Sequence, residues 1–479
     1  MRQPERLVFF LLLCSPCLFH VSHGRRPTST PQKAKDSAPA PPIRAVNLGG
    51  WLVTEGWILP SLFDGIPNKD FLDGTQLQFK SVTQNMFLSA EQGGGTIIVF
   101  NNQFVTVAGD GVTVVATVTS PGPGEAFQIV RNADKTRVRI RAPSGKFLQA
   151  KTSDSVTADY DGESTNWGND DPSVFVLTVV TGLQGEYQIC NGYGKAKATQ
   201  VLRKHWSTYI VENDFKFISA SGLNAVRIPV GWWIASGSNP PPPFIGGSLQ
   251  ALDNAFNWHT PGSQNPFEHS ASKDGSQDWG KTDANIAQTV QVIDFLASRY
   301  ANCPSLLAVE LLNEPLAPGV SLPALTKYYN DGYSAVRKHT ASAYVIMSNR
   351  LSASNTELLE FASGLPGSVI DVHYYNLFSS AFDGLTADQN IDFVRTNRSS
   401  ELSTVTRQNG PLTFVGEWVA EWNVGGATKE DYQRFAQVQI DVYGRATFGW
   451  SYWTLKNVRD HWSMQWMISN GYISLNTTS

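Results

Sequence analysis

The stretch Leu306–Pro315, reading LLAVELLNEP, constrains what this chain can fold into more than any other. A run this apolar, broken only at Glu310 and closed by a polar break, has the pattern of a strand buried on both faces, as found in parallel sheets covered by helices. It ends in Asn313, Glu314 and Pro315, so a carboxylic acid stands where the strand leaves the core, and Pro315, with no N–H to give, stops the ladder. A lone Glu at such a place is as often a solvated loop residue. A second stretch repeats the pattern, however: Pro411–Trp418, PLTFVGEW, runs through apolar β-formers and delivers Glu417 at its end. Two strand-end carboxylates are the minimum equipment for acid-assisted cleavage of a glycosidic bond.

The remaining pattern supplies a scaffold for such a pair. Strand-like runs recur from Arg44 (RAVNLGGWLV, with Glu55 just beyond), at Asn224–Trp233, Ser342–Asn349, Ser368–Tyr375 and Thr447–Lys456. A helix starting around Ser207 precedes the Asn224 strand, and helical patterns such as Ala284–Tyr300 and Lys429–Tyr443 separate others. Repeated strand–helix units with functional residues at the C-terminal strand ends predict the α/β class and a (β/α)8 TIM barrel. At 479 residues the chain is longer than one ordinary domain. From about Gly74 to Val180 it becomes Gly-rich, with short Val, Thr and Phe runs and no helical period, which predicts an inserted all-β module. One phrase recurs there, as Met86–Ala90, Gln103–Val107 and Lys146–Ala150, and three copies predict a β-trefoil. The spacing is uneven, 17 residues from Phe87 to Phe104 and 43 from Phe104 to Phe147, so the first repeat is short. The expected organisation is a signal peptide over 1–24, a flexible leader over 25–42, the start of the barrel over 43–73, the trefoil insert over 74–182 and the rest of the barrel over 183–479.

The N-terminus has charged residues followed by an apolar block from Leu7 to about Phe19, too short to span a bilayer, then small and polar residues to Gly24. This is the layout of a secretory signal, so an extracellular or cell-wall destination is expected, with no membrane anchor. Cys14 and Cys17 would leave with it, keeping only Cys190 and Cys303, which suits a secreted protein that does not depend on disulfides. The sequons at Asn397 and Asn476 are then usable for glycosylation. A net charge of −4 argues against a nucleic-acid partner, and 14 Trp and 15 Tyr are more rings than a core this size needs, fitting a sugar-stacking site. Gly275–Thr282 matches a phosphate-cradling loop, but no strand precedes it and Asp274 and Asp278 would repel phosphate, so it reads as a polar loop capping a helix. Neither H-E-x-x-H nor G-x-S-x-G occurs, so zinc proteolysis and serine-hydrolase chemistry lack support. No cofactor or metal is expected.

The phrases RAVNLGGWLV, HWSTYIVENDFKFISASGLNAVRIPVGWW, PGSQN, ELLNEP, DVHYYNLF and FVGEW, in this order, resemble glycoside hydrolase family 5. Within it the likeness is to exo-1,3-β-glucanases and their plant relatives, in which a fascin-like β-trefoil is inserted after the first barrel strand. The resemblance covers nearly all of the chain beyond the leader. It implies a retaining hydrolase acting on a β-glucan or β-glucoside, with Glu314 as acid/base and Glu417 as nucleophile. It further implies that Glu55, Arg227, Asn313, His373, Tyr375 and Trp453 line the pocket for the terminal sugar, and that Phe267 and Phe378 form its entrance. These residue types suit the roles: Arg227 can hold the nucleophile ionised, Tyr375 can donate to it, Asn313 can bond the neighbouring sugar hydroxyl, and Trp453 can underlie the ring. Each also has a structural alternative, a buried ion pair for Arg227, a satisfied core histidine for His373 and packing for Trp453.

One segment departs from the family. Its members carry an apolar strand before PGSQN that ends in a His three positions ahead of the Pro; here helix-like LQALDNAFNW runs straight into His259-Thr260-Pro261. Seven barrel strands are expected instead of eight, the third being missing, which leaves an unpaired edge or a reclosed barrel. A second function follows from that loss: a glycan-binding wall protein, with the trefoil holding sugar and the barrel inert. The sequence leaves linkage, acceptor and oligomeric state open.

Overall fold

The computed structural model describes residues 42–475 apart from 68, 73–74, 89–103, 121, 163–164, 183, 258–278 and 352. The expected signal peptide and leader, His259, Phe267, Asn476, the PGSQN segment and the first part of the phosphate-loop-like motif lie outside these residues. The chain divides into two compact units, one from Asp70 to Leu183 and one made of the flanking residues on both sides. Among the described residues no helix is long and apolar enough to cross a membrane.

The larger unit begins with β1 (Ile43–Asn47). The smaller unit follows with β2 (Gln76–Ser81), β3 (Phe104–Val107), β4 (Val114–Val118), β5 (Gln128–Arg131), β6 (Arg137–Arg141), β7 (Phe147–Thr152), β8 (Ser155–Tyr160) and β9 (Phe175–Thr181). Among the described residues every pairing in it is antiparallel, in the order β2-β9-β6-β7-β8 with β5 on β6, while β3 and β4 pair separately. The expected Phe-centred phrases fall on β3 and β7, and in the first copy Phe87 bridges to Lys80 of β2. Phe79, Val138, Ile140, Leu148, Ala158 and Phe175 make a core of its own. Because β2 pairs with β9, with Gln76 opposite Thr181, the chain enters and leaves this unit side by side.

The larger unit resumes with β10 (Ala225–Arg227), β11 (Ala308–Glu310), β12 (Tyr344–Ser348), β13 (Ser368–Asn376), β14 (Leu412–Trp422) and β15 (Gly449–Tyr452). These and β1 form one parallel sheet in the order β10-β1-β15-β14-β13-β12-β11, with helices such as Asp283–Tyr300, Leu322–Arg337 and Lys429–Tyr443 between strands. The fold is TIM-barrel-like. Ala45, Ala225, Ala308, Ile346, Val369 and Phe414, with Phe448 just before β15, meet in one buried cluster, so six strands and the residue leading into the seventh share one core.

Among the described residues β10 and β11 each have a partner on one side only, and 258–278, which lie between them in sequence and before which the third strand was expected to be missing, are not described. Both strands are three residues long where Asn224–Trp233 and Leu306–Pro315 are apolar for far longer. A ladder needs a neighbour, and a strand paired on one side loses its pairing sooner. The helix expected from Ser207 is instead two helices, Glu186–Thr208 and Glu212–Ala220. The first carries Gly194 at φ 69°, a non-helical break, and the glycines at 185, 192 and 194 make its first turns read as loop in the sequence.

Candidate active site

Parallel strands bring all their C-terminal ends to one side, and a cluster of buried charged residues gathers there. Arg227, the last residue of β10, is 1% exposed. Its Nε and Nη2 donate to the two oxygens of Glu310 at 2.6 and 3.0 Å, and Nη1 donates to Asn47 Oδ1 and to Glu417 Oε1, both at 2.8 Å. Nη2 also donates to Asn313 Oδ1, which fixes the orientation of that amide. A planar guanidinium with five donors is the one side chain able to tie four strands together in this way.

Glu417 reaches the site through a β-bulge. Val372 pairs with Val415 but His373 pairs with Glu417, so Gly416 is the extra residue on β14, and the register shift turns Glu417 inward. Both sides of the bulged peptide are held: Gly416 N donates to Asp371 Oδ1 at 2.7 Å, and Asn47 Nδ2 donates to Gly416 O at 3.0 Å. A Cβ at 416 would collide with the Asp371 carboxylate, which is why this position is glycine. Besides Arg227 on Oε1, Glu417 accepts the Tyr375 hydroxyl on Oε2 at 2.7 Å. Burial pushes this carboxyl up and the Glu314 charge adds to that, while His373, Arg227 and Tyr375 pull it back. A donor stands on each oxygen, and a carboxylate accepts both while a protonated acid would face one of them with its own hydrogen.

Glu314 follows β11 at φ 42°, a left-handed backbone uncommon for a residue with a side chain. Its Oε1 lies 2.7 Å from His373 Nδ1, and the other ring nitrogen, Nε2, lies 3.1 Å from Asp371 Oδ2. His373 Nδ1 is also 3.6 Å from Glu417 Oε2. Burial opposes charge on this ring, but the Glu417, Asp371 and Glu314 carboxylates around it carry it well above the ordinary imidazole value. An oxygen of Glu314 and one of Glu417 approach within 4.8 Å.

Aromatic and polar residues surround the pair. Tyr375 lies 6.0 Å from Trp462 in a stacked arrangement and 5.1 Å from Phe378, which is 72% exposed. Trp57 meets Trp462 edge-on at 4.9 Å and donates Nε1 to Glu55 Oε2 at 3.1 Å. Glu55 Oε1 is shut off from solvent without a hydrogen-bond partner, and burial, then the Glu417 charge, push the carboxyl up to about 8. Trp453, just past β15, is buried, and its ring occupies the space a side chain at Gly49 would need, 2.8 Å from that Cβ position. Among the pocket residues expected from the sequence, Arg227, Asn313, Glu314, His373, Tyr375 and Glu417 are linked by direct contacts. Asn397 lies exposed in the segment Val394–Arg398. Thr282 caps the helix Asp283–Tyr300 by accepting Asn285 N–H at 3.2 Å.

Three functional residues escaped the sequence analysis: Asn47, Glu310 and Asp371. The signal for two of them was present, since a carboxylate inside an otherwise apolar strand must find a cation or a donor. Glu310 with Asp371 and His373, and Glu314 with His373 and Glu417, bring donor atoms within 4.8 Å of one another. The first set is a poor metal site because both Glu310 oxygens are taken by Arg227, and the second because both Glu417 oxygens already accept.

A family model described as "Cellulase (glycosyl hydrolase family 5)" matches residues 190–459. Another, "Domain of unknown function (DUF7910)", matches residues 68–102 and 97–180. The chain is 30% identical over 335 residues, 60% of its length and 79% of the relative's, to the "Probable glucan 1,3-beta-glucosidase A" of Aspergillus clavatus. It is 28% identical over 360 residues, 63% of its length and 81% of the relative's, to the "Glucan 1,3-beta-glucosidase" of Pichia angusta. A solved structure described as "Crystal structure of AoRut" shares the fold at a TM-score of 0.51 and 20% identity, covering 60% of this chain and 88% of that one.

Proposed function

The chain belongs to glycosyl hydrolase family 5 and is a glycoside hydrolase, and on that premise we propose that it removes terminal β-linked glucose from β-1,3-glucans, oligosaccharides or β-glucosides with retention of configuration. The observation that carries this reading is the approach of Glu314 and Glu417 to within 4.8 Å, with Arg227 and Tyr375 on the latter. Retaining enzymes hold their carboxyls ~5–5.5 Å apart, whereas inverting ones leave ~6.5–9.5 Å for a water. In the first step Glu417 attacks the anomeric carbon as Glu314 gives its proton to the departing oxygen, leaving a glycosyl ester on Glu417. In the second, Glu314 takes a proton from water, whose oxygen attacks the same carbon and releases Glu417. Arg227 and Tyr375 keep the nucleophile charged between turnovers.

The rings of Trp453, Tyr375, Trp462 and Phe378 offer flat apolar faces for sugars at and beyond the terminal residue. Secretion to the cell exterior or wall belongs to the same reading and rests on the charged and apolar layout of the N-terminus. The trefoil reading of 74–182 is supported by successive antiparallel hairpins and the pairing of β2 with β9, and such a module would hold a further stretch of glycan. That β10 and β11 are not paired to each other or to a further strand among the described residues favours the second reading, a glycan-binding protein with an inert barrel.

Hydrolysis of laminari-oligosaccharides and aryl β-glucosides separates the two. Glu417→Gln is expected to abolish turnover of every substrate. Glu314→Gln is expected to cost ~10²–10⁴-fold on poor leaving groups and to spare glycosylation by very good ones, which need no proton. Binding of these sugars without any turnover by the unsubstituted chain would favour the inert barrel.

A further inference from the structure

Asp371 has no place in the two-carboxylate scheme, yet it is a fully buried acid at the centre of the site, with 0% exposure. Its Oδ1 accepts the Gly416 amide at 2.7 Å, its Oδ2 faces His373 Nε2 at 3.1 Å, and Arg227 Nη2 stands 3.9 Å away. Burying a carboxylate costs several kcal/mol unless every oxygen is matched, so these contacts explain how Asp371 is tolerated and leave the question of why it is there.

The answer lies in the ring it touches. An acceptor facing Nε2 requires a hydrogen on that nitrogen. The opposite nitrogen, Nδ1, then has two ways to meet Glu314 Oε1 at 2.7 Å: as acceptor from the protonated acid, or as donor to the carboxylate from an imidazolium. The two states differ only in where one proton sits along one hydrogen bond, and no heavy atom need move between them. The other groups facing the ring are Glu417 of β14, Glu310 of β11, Tyr375 two residues along β13 and, beyond Asp371, Arg227 of β10. Glu417, Glu310 and Asp371 are carboxylates against the one cation Arg227, so the surroundings favour keeping a proton on the pair.

We propose that Asp371 is a positioning residue for the acid/base: it pins His373 by Nε2 and turns Nδ1 onto Glu314, so that the proton delivered to the departing oxygen is held by the His373–Glu314 pair. This rests on the role of Glu314 proposed above. The balance is unchanged by it: one proton leaves through Glu314 to the glycosidic oxygen in the first step, and one returns from water through Glu314 in the second. What changes is the pH at which the acid is lost, since removing the pair's proton means removing it from two bases stabilised by a third charge.

Asp371→Asn tests this with little change of shape. Its amide oxygen can still accept Gly416 N–H, which aims its NH2 at Nε2; Nε2 must then accept, the ring keeps its hydrogen on Nδ1 and cannot take the proton of Glu314. The basic limb of kcat/KM against pH is expected to move at least about one unit lower. Poor leaving groups are expected to lose ~10²-fold or more and very good ones under ~10-fold in the glycosylation step. His373→Gln, whose amide spans the same partners without binding the proton, is expected to lower the same limb. An unmoved limb in both variants, or equal losses on both kinds of substrate, would show that Asp371 only supports the bulge at Gly416. If the unsubstituted chain cleaves no glycoside, the proposed function fails, and nitrogen-15 spectra of the His373 ring still decide this point. A ring carrying a hydrogen on Nε2 at pH 7 in the unsubstituted chain, whether charged or neutral, and on Nδ1 alone in Asp371→Asn supports the proposal, and a ring in the same state in both overturns it.

Discussion

Arg227 shows how far single residues carry the site and how far the sequence reveals them. Its role as partner of Glu417 was expected from the family resemblance, and its permanent charge suits that role. That Glu310 takes two of its nitrogens was not, since the two lie 83 positions apart and only the sheet brings them together. Glu310 and Asp371 were nonetheless visible as charges inside apolar strands, and asking where each buried charge finds its partner would have flagged both. Glu186 poses the same question away from the pair. It is 1% exposed, its Oε1 accepts Trp233 Nε1 at 2.8 Å, and its Oε2 is buried with no hydrogen-bond partner. Burial pushes this carboxyl up to about 8, against 4.5 when unfolded. Since the folded value is the higher one, its contribution to stability is complete below pH 4.5 and is lost as pH rises toward 8, by pH 7 to the extent of ~3 kcal/mol. The melting temperature is expected to fall by several degrees between pH 5 and 8, and Glu186→Gln to flatten that fall. Parallel pH profiles for the two chains would exclude Glu186 as the cause.

At the level of elements, strand positions were legible from apolar runs and strand lengths were not. β12 and β13 fall within two residues of the runs that foretold them, because each is paired on both sides. β14 runs on to Trp422, past the expected end at Trp418, and its bulge at Gly416 had only a glycine to signal it. β10 and β11 are shorter than their apolar runs, and among the described residues each is paired on one side only. An added strand there would supply the ladder partner that each lacks among the described residues. A chain carrying an additional family-like apolar strand between Asn257 and Trp279 is therefore expected to melt higher and turn over faster. Calorimetry and aryl-glucoside assays of both chains check this, and equal melting temperature with equal rate would show that the added strand contributes nothing.

For the molecule as a whole, the two units solve different problems. The larger one spends its parallel topology on gathering seven strand ends around two carboxylates, and the smaller leaves its entry and exit paired through β2 and β9, so it interrupts the barrel chain at one point only. The change of composition near Gly74 revealed the insert, while its strand order depends on pairings between β6, β9 and β2 that no local signal encodes. The central claim is that Glu417 forms a covalent bond with the sugar while Glu314 manages the proton. Incubation with a 2-deoxy-2-fluoro-β-glucoside bearing a very good leaving group, followed by mass spectrometry of the digested protein, tests it most directly. The account predicts one fluoroglucosyl group per chain, carried by the peptide containing Glu417. Turnover with no adduct, or an adduct on Glu314 or any other residue, would contradict it.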